Sequence, residues 1–137
     1  MDEVSNATAL TRIFGRWPSF HDAEVVRVIL DREPASGPSL LAMIHVFEMT
    51  SEVDPAGFYV LKHHTLVTLR FEDILLESLK WFNNQNVLWD LEIIPVDPDA
   101  NEGRGLRVEM PSSHGLEAAF LCRRAVVDAV EPFTPKA

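Results

Sequence analysis

The stretch Phe58-Tyr59-Val60-Leu61-Lys62-His63-His64-Thr65-Leu66-Val67-Thr68-Leu69-Arg70-Phe71-Glu72 decides the fold class. In its second half Val67, Leu69 and Phe71 point one way, and Thr68, Arg70 and Glu72 point the other. Successive side chains leave opposite faces of a pleated strand, so this alternation marks a β-strand with one face on a core.

Working outward, the same period recurs. Residues 24–32 alternate Val26, Val28 and Leu30 with Arg27, Ile29 and Asp31. Residues 40–49 are apolar on both parities, as a central strand requires. Residues 87–93 put Val87, Trp89, Leu91 and Ile93 on one face, and residues 106–110 alternate Leu106, Val108 and Met110 with Arg107 and Glu109. Proline and glycine cluster at 34–38, 55–57, 95–105, 111–115 and 132–135, which read as loops. Residues 5–14 predict a short helix, with Ser5 or Asn6 as cap, Ala7, Leu10, Ile13 and Phe14 on one face, and Gly15 at its end. Two segments admit two readings. Residues 74–82 fit a helix through Leu75, Leu79 and Phe82, or a strand entering a turn at Asn83-Asn84. In residues 116–131 the alanines and Arg123-Arg124 favour helix, whereas Leu116, Ala118, Phe120 and Cys122 keep period two and Val126, Val127 and Val130 favour strand.

This pattern predicts an α+β, mainly β domain with a short N-terminal helix. The expected architecture is an antiparallel sheet of about six to seven strands, as a sandwich or a strongly curled sheet. Hairpin-like loops argue against a parallel α/β fold. A length of 137 residues, 47% of them apolar, fits a single domain spanning 1–137 with one core.

The charge bounds the partners. With 21 acidic against 12 basic residues, the chain carries a net charge of −9. That disfavours nucleic acid, whose phosphates need Lys and Arg, and anionic membrane surfaces. It suits a solvated surface or a basic protein partner. Cys122 stands alone, so no internal disulfide forms. The acidic start Met1-Asp2-Glu3-Val4 is unlike a secretory signal, and no apolar run reaches the length of a membrane span. The expectation is a cytoplasmic protein.

The densest polar constellation is Trp17-Pro18-Ser19-Phe20-His21-Asp22-Ala23-Glu24. A His21-Asp22 pair orients a base or ligates a metal in other settings. The plainer reading has Trp17 and Phe20 plugging the core while His21 and Asp22 satisfy backbone groups at a turn. His63-His64 is a second candidate, although neighbours on a strand face opposite ways, so only one joins any shared site. No HExxH or His-x-His spacing supports a metal, and no cofactor motif is present. Cys122 sits in an apolar pattern and reads as a small core residue. Gly103-Arg104-Gly105 lacks the context of a phosphate loop, and GxSxG is absent. Asn83-Asn84-Gln85-Asn86 reads first as a turn, since Asn tolerates left-handed backbone. Its flanking Trp81 and Trp89, if exposed beside adaptable amides, would suit a protein-binding surface through Asn83, Gln85 and Asn86.

The segment Phe14-Gly15-Arg16-Trp17-Pro18-Ser19-Phe20-His21-Asp22-Ala23-Glu24-Val25 resembles the signature region of the immunity protein 50 family of bacterial polymorphic-toxin systems. Trp81-Phe82-Asn83-Asn84-Gln85-Asn86-Val87 is similar to a second recurring stretch of that family. The resemblance implies a cytosolic binding protein that neutralises a toxin without catalysis, and it tips residues 116–131 towards strand. The resemblance assigns no contact residues; the residues' own chemistry nominates Trp17, His21, Asp22, Glu24, Asn83, Gln85 and Asn86 for binding. Two alternatives stand beside it. One is a small-ligand or metal-binding domain built on His21, Asp22 and Glu24 with His63 or His64. The other is a homodimer that covers residues 40–49 and 87–93, which as bare sheet edges would aggregate.

Overall fold

The computed structural model describes residues 1–135. The chain order is β1 (Val4–Ser5), α1 (Thr8–Phe14), β2 (Glu24–Asp31), β3 (Ser39–Val53), β4 (Tyr59–Glu72), β5 (Leu75–Lys80), β6 (Val87–Leu88), β7 (Glu92–Pro95), a 3-10 turn (Asp99–Asn101), β8 (Leu106–Met110), β9 (Ser112–His114), β10 (Glu117–Cys122) and β11 (Arg124–Pro132). The strands form a seven-stranded sheet, β1-β11-β4-β3-β2-β6-β9, and a four-stranded sheet, β5-β10-β8-β7. Neither closes into a barrel.

Both sheets feed one core. Leu40, Ile44, Leu69 and Phe71 come from the large sheet, and Val108, Met110 and Phe120 from the small one, all at most 1% exposed. Phe71 meets Phe120 edge to face, with ring centroids 5.1 Å apart. Burial bears out the alternation of residues 106–110 and, apart from the buried Thr68, that of residues 67–72. The mainly β expectation with a short helix also holds, but as two sheets, and the large one is mixed because β1 runs parallel to β11.

A corner ties the sheets together. β4 leaves the large sheet at Asp73 and continues as β5 in the small one, while β10 of the small sheet passes through Arg123 into β11 of the large one. β4 pairs with β11, and β5 pairs with β10, so an antiparallel pair turns the corner together. Asp73 sits in left-handed backbone with φ 54°, which Asp adopts more readily than most residues. Its carboxylate accepts from Arg123 Nη2 at 2.9 Å and Nε at 3.1 Å, and from Arg104 Nη2 at 3.2 Å. Arg104 Nε also donates to the Asp73 carbonyl at 2.8 Å. Gly103 admits this cluster, because a Cβ there would overlap the Arg123 guanidinium.

The structure corrects several sequence expectations. Residues 87–93 are not one strand: β6 lies in the large sheet and β7 in the small one, and Trp89 between them points outward at 60% exposure. In β2 a bulge at Val26 shifts the pairing between Val25↔Ile44 and Arg27↔Met43. Consequently Val25 and Val28 face the core, while Val26 and Leu30 are exposed. Residues 75–80 are strand, and residues 116–131 hold two strands broken at Arg123, as the family resemblance implied. Helix α1 is shorter than expected and has no side-chain cap, for Asn6 instead donates to the Val127 carbonyl at 2.9 Å. Gly15 does end it in left-handed backbone. Of the two stretches expected at bare edges, β3 lies between β2 and β4 as far as His45, and β6 between β2 and β9, whereas β7 forms an edge of the four-stranded sheet. No helix among the described residues is long and apolar enough to cross a membrane.

The corner generates a prediction. Arg104 is only 13% exposed, so removing its carboxylate strands a largely desolvated cation. Asp73→Ala is expected to destabilise by about 2–3 kcal/mol. Asp73→Asn, which keeps an acceptor and tolerates the backbone, should cost less. Arg123→Ala should cost least, because that guanidinium is half exposed and its pair is screened by solvent. Urea unfolding of the three variants checks the order.

A candidate binding surface built from two distant stretches

The signature stretch and the Asn-rich stretch lie side by side. Val25 N–H donates to the Asn86 carbonyl at 2.8 Å, Leu88 N–H to Ala23 at 2.8 Å, and Asp22 N–H to Leu88 at 2.9 Å. Glu24 is the pairing partner of Val87. Phe20, Ala23 and Val25 are buried, which anchors this strip to the core. Trp17 packs on Phe20, with centroids 5.6 Å apart, and belongs to the core margin.

Asn86 organises the turn beside that strip. It is 3% exposed, and its amide makes four bonds. Nδ2 donates to the Asn83 carbonyl at 2.7 Å and to Val25 at 3.4 Å. Oδ1 accepts from Asn83 N–H at 2.9 Å and Leu116 N–H at 3.1 Å. Asn83 acts similarly, donating to the Trp81 carbonyl at 2.8 Å and accepting from Gln85 N–H at 3.0 Å. Gly115 comes so close that a Cβ would strike the Gln85 carbonyl and the Asn86 amide. These amides serve the backbone first, as the turn reading expects.

What the turn presents is aromatic. Trp81, Phe82 and Trp89 are 63%, 51% and 60% exposed. Trp81 stands in left-handed backbone with φ 66°, and Lys80 Nζ lies 4.3 Å from its ring centroid. The His21 ring contacts Trp89 edge-on at 4.7 Å, and its Nδ1 lies 2.8 Å from the Trp89 carbonyl. That bond requires Nδ1 to carry the proton, leaving Nε2 near Asp22 Oδ1 at 3.6 Å. Phe82 borders a groove of about 650 Å³, lined also by Glu24, His45, Asn83, Asn84 and Phe133 among others. Phe82 also lines a smaller hollow of about 230 Å³ with Val28, Leu30 and Leu79.

Sequence reasoning missed His45. It interrupts an apolar run, which was the one available signal. His45 Nε2 lies 2.9 Å from His64 Nδ1, and the Phe133 ring lies 4.5 Å from the His45 ring. Burial, reinforced by neighbouring His64, lowers the His45 pKa from its ordinary 6.5. In the structure His64 pairs with His45, and His63 bonds Glu48 at 2.7 Å. Among the described residues no three His, Cys, Asp or Glu side chains converge to hold a metal ion. Cys122 is fully buried, and burial pushes its thiol pKa up to about 12, so it stays protonated at neutral pH.

Two predictions follow from these bonds. Asn86→Ala leaves buried N–H groups without an acceptor and should cost about 3 kcal/mol in denaturant unfolding, whereas Gln85→Ala should be nearly silent. The depressed His45 pKa means the unfolded chain binds protons more readily near pH 6. Stability from this group is complete above its ordinary pKa of 6.5 and is lost as pH falls below it. Unfolding midpoints measured from neutral to mildly acidic pH should fall for the native chain and flatten in His45→Gln.

The family model described as Immunity protein 50 matches residues 6–133, which takes in both stretches that build the surface. No curated protein and no solved structure matches the chain. The match spans every element from α1 to β11, and on that ground this chain belongs to the immunity protein 50 family.

Proposed function

We propose that this protein acts in the bacterial cytoplasm as a single-domain, non-enzymatic immunity protein that neutralises a cognate toxin domain by binding it directly. What supports the reading is that residues 14–25 and 81–88, far apart in sequence, are held side by side by backbone hydrogen bonds. Of these, Trp17 and Asn86 act as framework. His21, Asp22, Glu24, Asn83 and Gln85 form the polar contacts around Trp81, Phe82 and Trp89. Exposed Trp beside polar groups is the composition of an interface hot spot. The net charge of −9 favours a basic partner and fast association.

Calorimetry with the toxin domain encoded beside this gene tests the proposal. Nanomolar binding is expected, and Trp81→Ala and Trp89→Ala should each weaken it by about tenfold or more. Absence of binding, together with failure to protect growing cells from that toxin, would sink it.

A further inference from the structure

The hairpin of β3 and β4 outgrows its sheet. β2 accompanies β3 only as far as His45, and β11 accompanies β4 only as far as Thr65. Beyond that level, among the described residues, the two strands pair only with each other: Glu48↔Lys62, Met49↔Leu61 and Val53↔Tyr59. A two-stranded ribbon standing alone is marginal in water. This one nevertheless carries an apolar load: Met49, Val53, Phe58, Tyr59 and Leu61 are 53%, 59%, 70%, 59% and 36% exposed. With about 200 Å² per aromatic side chain, they offer several hundred Å² of apolar surface, as much as the largest patch on a typical monomer.

The tip is firmly built. Asp54 Oδ1 accepts from Ala56 N–H at 2.9 Å and Phe58 N–H at 3.0 Å. Asp54 N–H donates to the Phe58 carbonyl at 2.8 Å, and Gly57 N–H to the Asp54 carbonyl at 3.0 Å. Phe58 is thus held outward on an ordered loop, which lowers the entropy cost of using it in binding. The root of the arm is held by the signature stretch. The Phe14 ring packs edge-on against His63 at 5.9 Å, and Phe14, Arg16 and Pro18 share a hollow with Phe47 and Met49.

We infer that this arm is a second contact element, which inserts Phe58 and Tyr59 into an apolar cleft with a basic rim on the partner protein. The inference rests on the binding role proposed above. Charge selects the occupant: the arm carries Glu48, Glu52 and Asp54 against Lys62. A second copy would set two acidic arms together on chains of net charge −9. An anionic bilayer would repel it in the same way. A cleft edged with Lys or Arg complements both its tip and its flanks.

The test is calorimetry of the full chain and its variants against the toxin domain encoded beside the gene, at low and high salt. Phe58→Ser and Tyr59→Ser should each weaken binding about tenfold or more with circular dichroism unchanged. Glu52→Lys should weaken binding at low salt and lose that effect at high salt. Glu52 lies on the arm's solvated flank, so its substitution tests the arm even if a tip variant fails to fold. If the native chain binds and all three variants bind equally well, the inference falls and the immunity role stands. If the native chain does not bind, both fall. A dimer in light scattering that Phe58→Ser returns to monomer would assign the arm to a second copy and overturn the inference. Sedimentation with phosphatidylglycerol-containing vesicles that Phe58→Ser abolishes would overturn it in favour of a membrane.

Discussion

The ion pairs around Asp73 are the constraint on which the two-sheet arrangement depends. Two hydrogen-bonded strands must leave one sheet together and enter another, and the bend concentrates polar backbone at a single corner. Asp73 supplies a left-handed residue and a carboxylate at the same place, and Arg104 and Arg123 lock it from two loops. Because that corner fixes β5 and β10 over β4 and β11, it brings Phe120 onto Phe71. It also sets where β5 ends, and therefore where Trp81 and the Asn-rich turn emerge.

The surface beyond β5 divides into support and display. Asn86 is buried and spends its whole amide on backbone groups, so a polar side chain is retained inside because each of its atoms has a partner. Trp17 and Phe20 hold the neighbouring strip from below. With the backbone so fixed, the adjoining aromatic side chains are left outside, where burial does nothing for folding. Outward aromatics on a rigid frame have the composition of a recognition surface. His45, beside the groove and 2.9 Å from His64, has its pKa lowered by burial.

The acidity of the chain acquires a location as well. The arm bears carboxylates on its flanks and apolar residues at its tip, and the groove carries Glu24 beside Phe82. Both arrangements pair a desolvating anchor with peripheral charge. In the proposed role such charge would speed encounter with a basic partner, and the apolar contacts would slow its release.

The sequence by itself determined the strand character of residues 67–72 and 106–110, because period-two burial is written directly in side-chain polarity. It also determined the end of α1, since Gly15 adopts left-handed backbone without a Cβ penalty. It marked the two stretches that build the candidate surface, and it read Trp17 and Phe20 as core plugs. Only the tertiary structure decided which sheet each strand joins. Strands crossing at Asp73, Trp89 and Arg123 keep their local pattern, so polarity alone does not show where they change layers. The bulge at Val26 likewise reversed an alternation that looked regular. His45 stayed hidden because its partner lies across the sheet, and hydrogen bonding between strands has no signature in local spacing. The exposure of Trp81, Phe82 and Phe58 was equally invisible, since an apolar side chain reads as core until the fold leaves it outside.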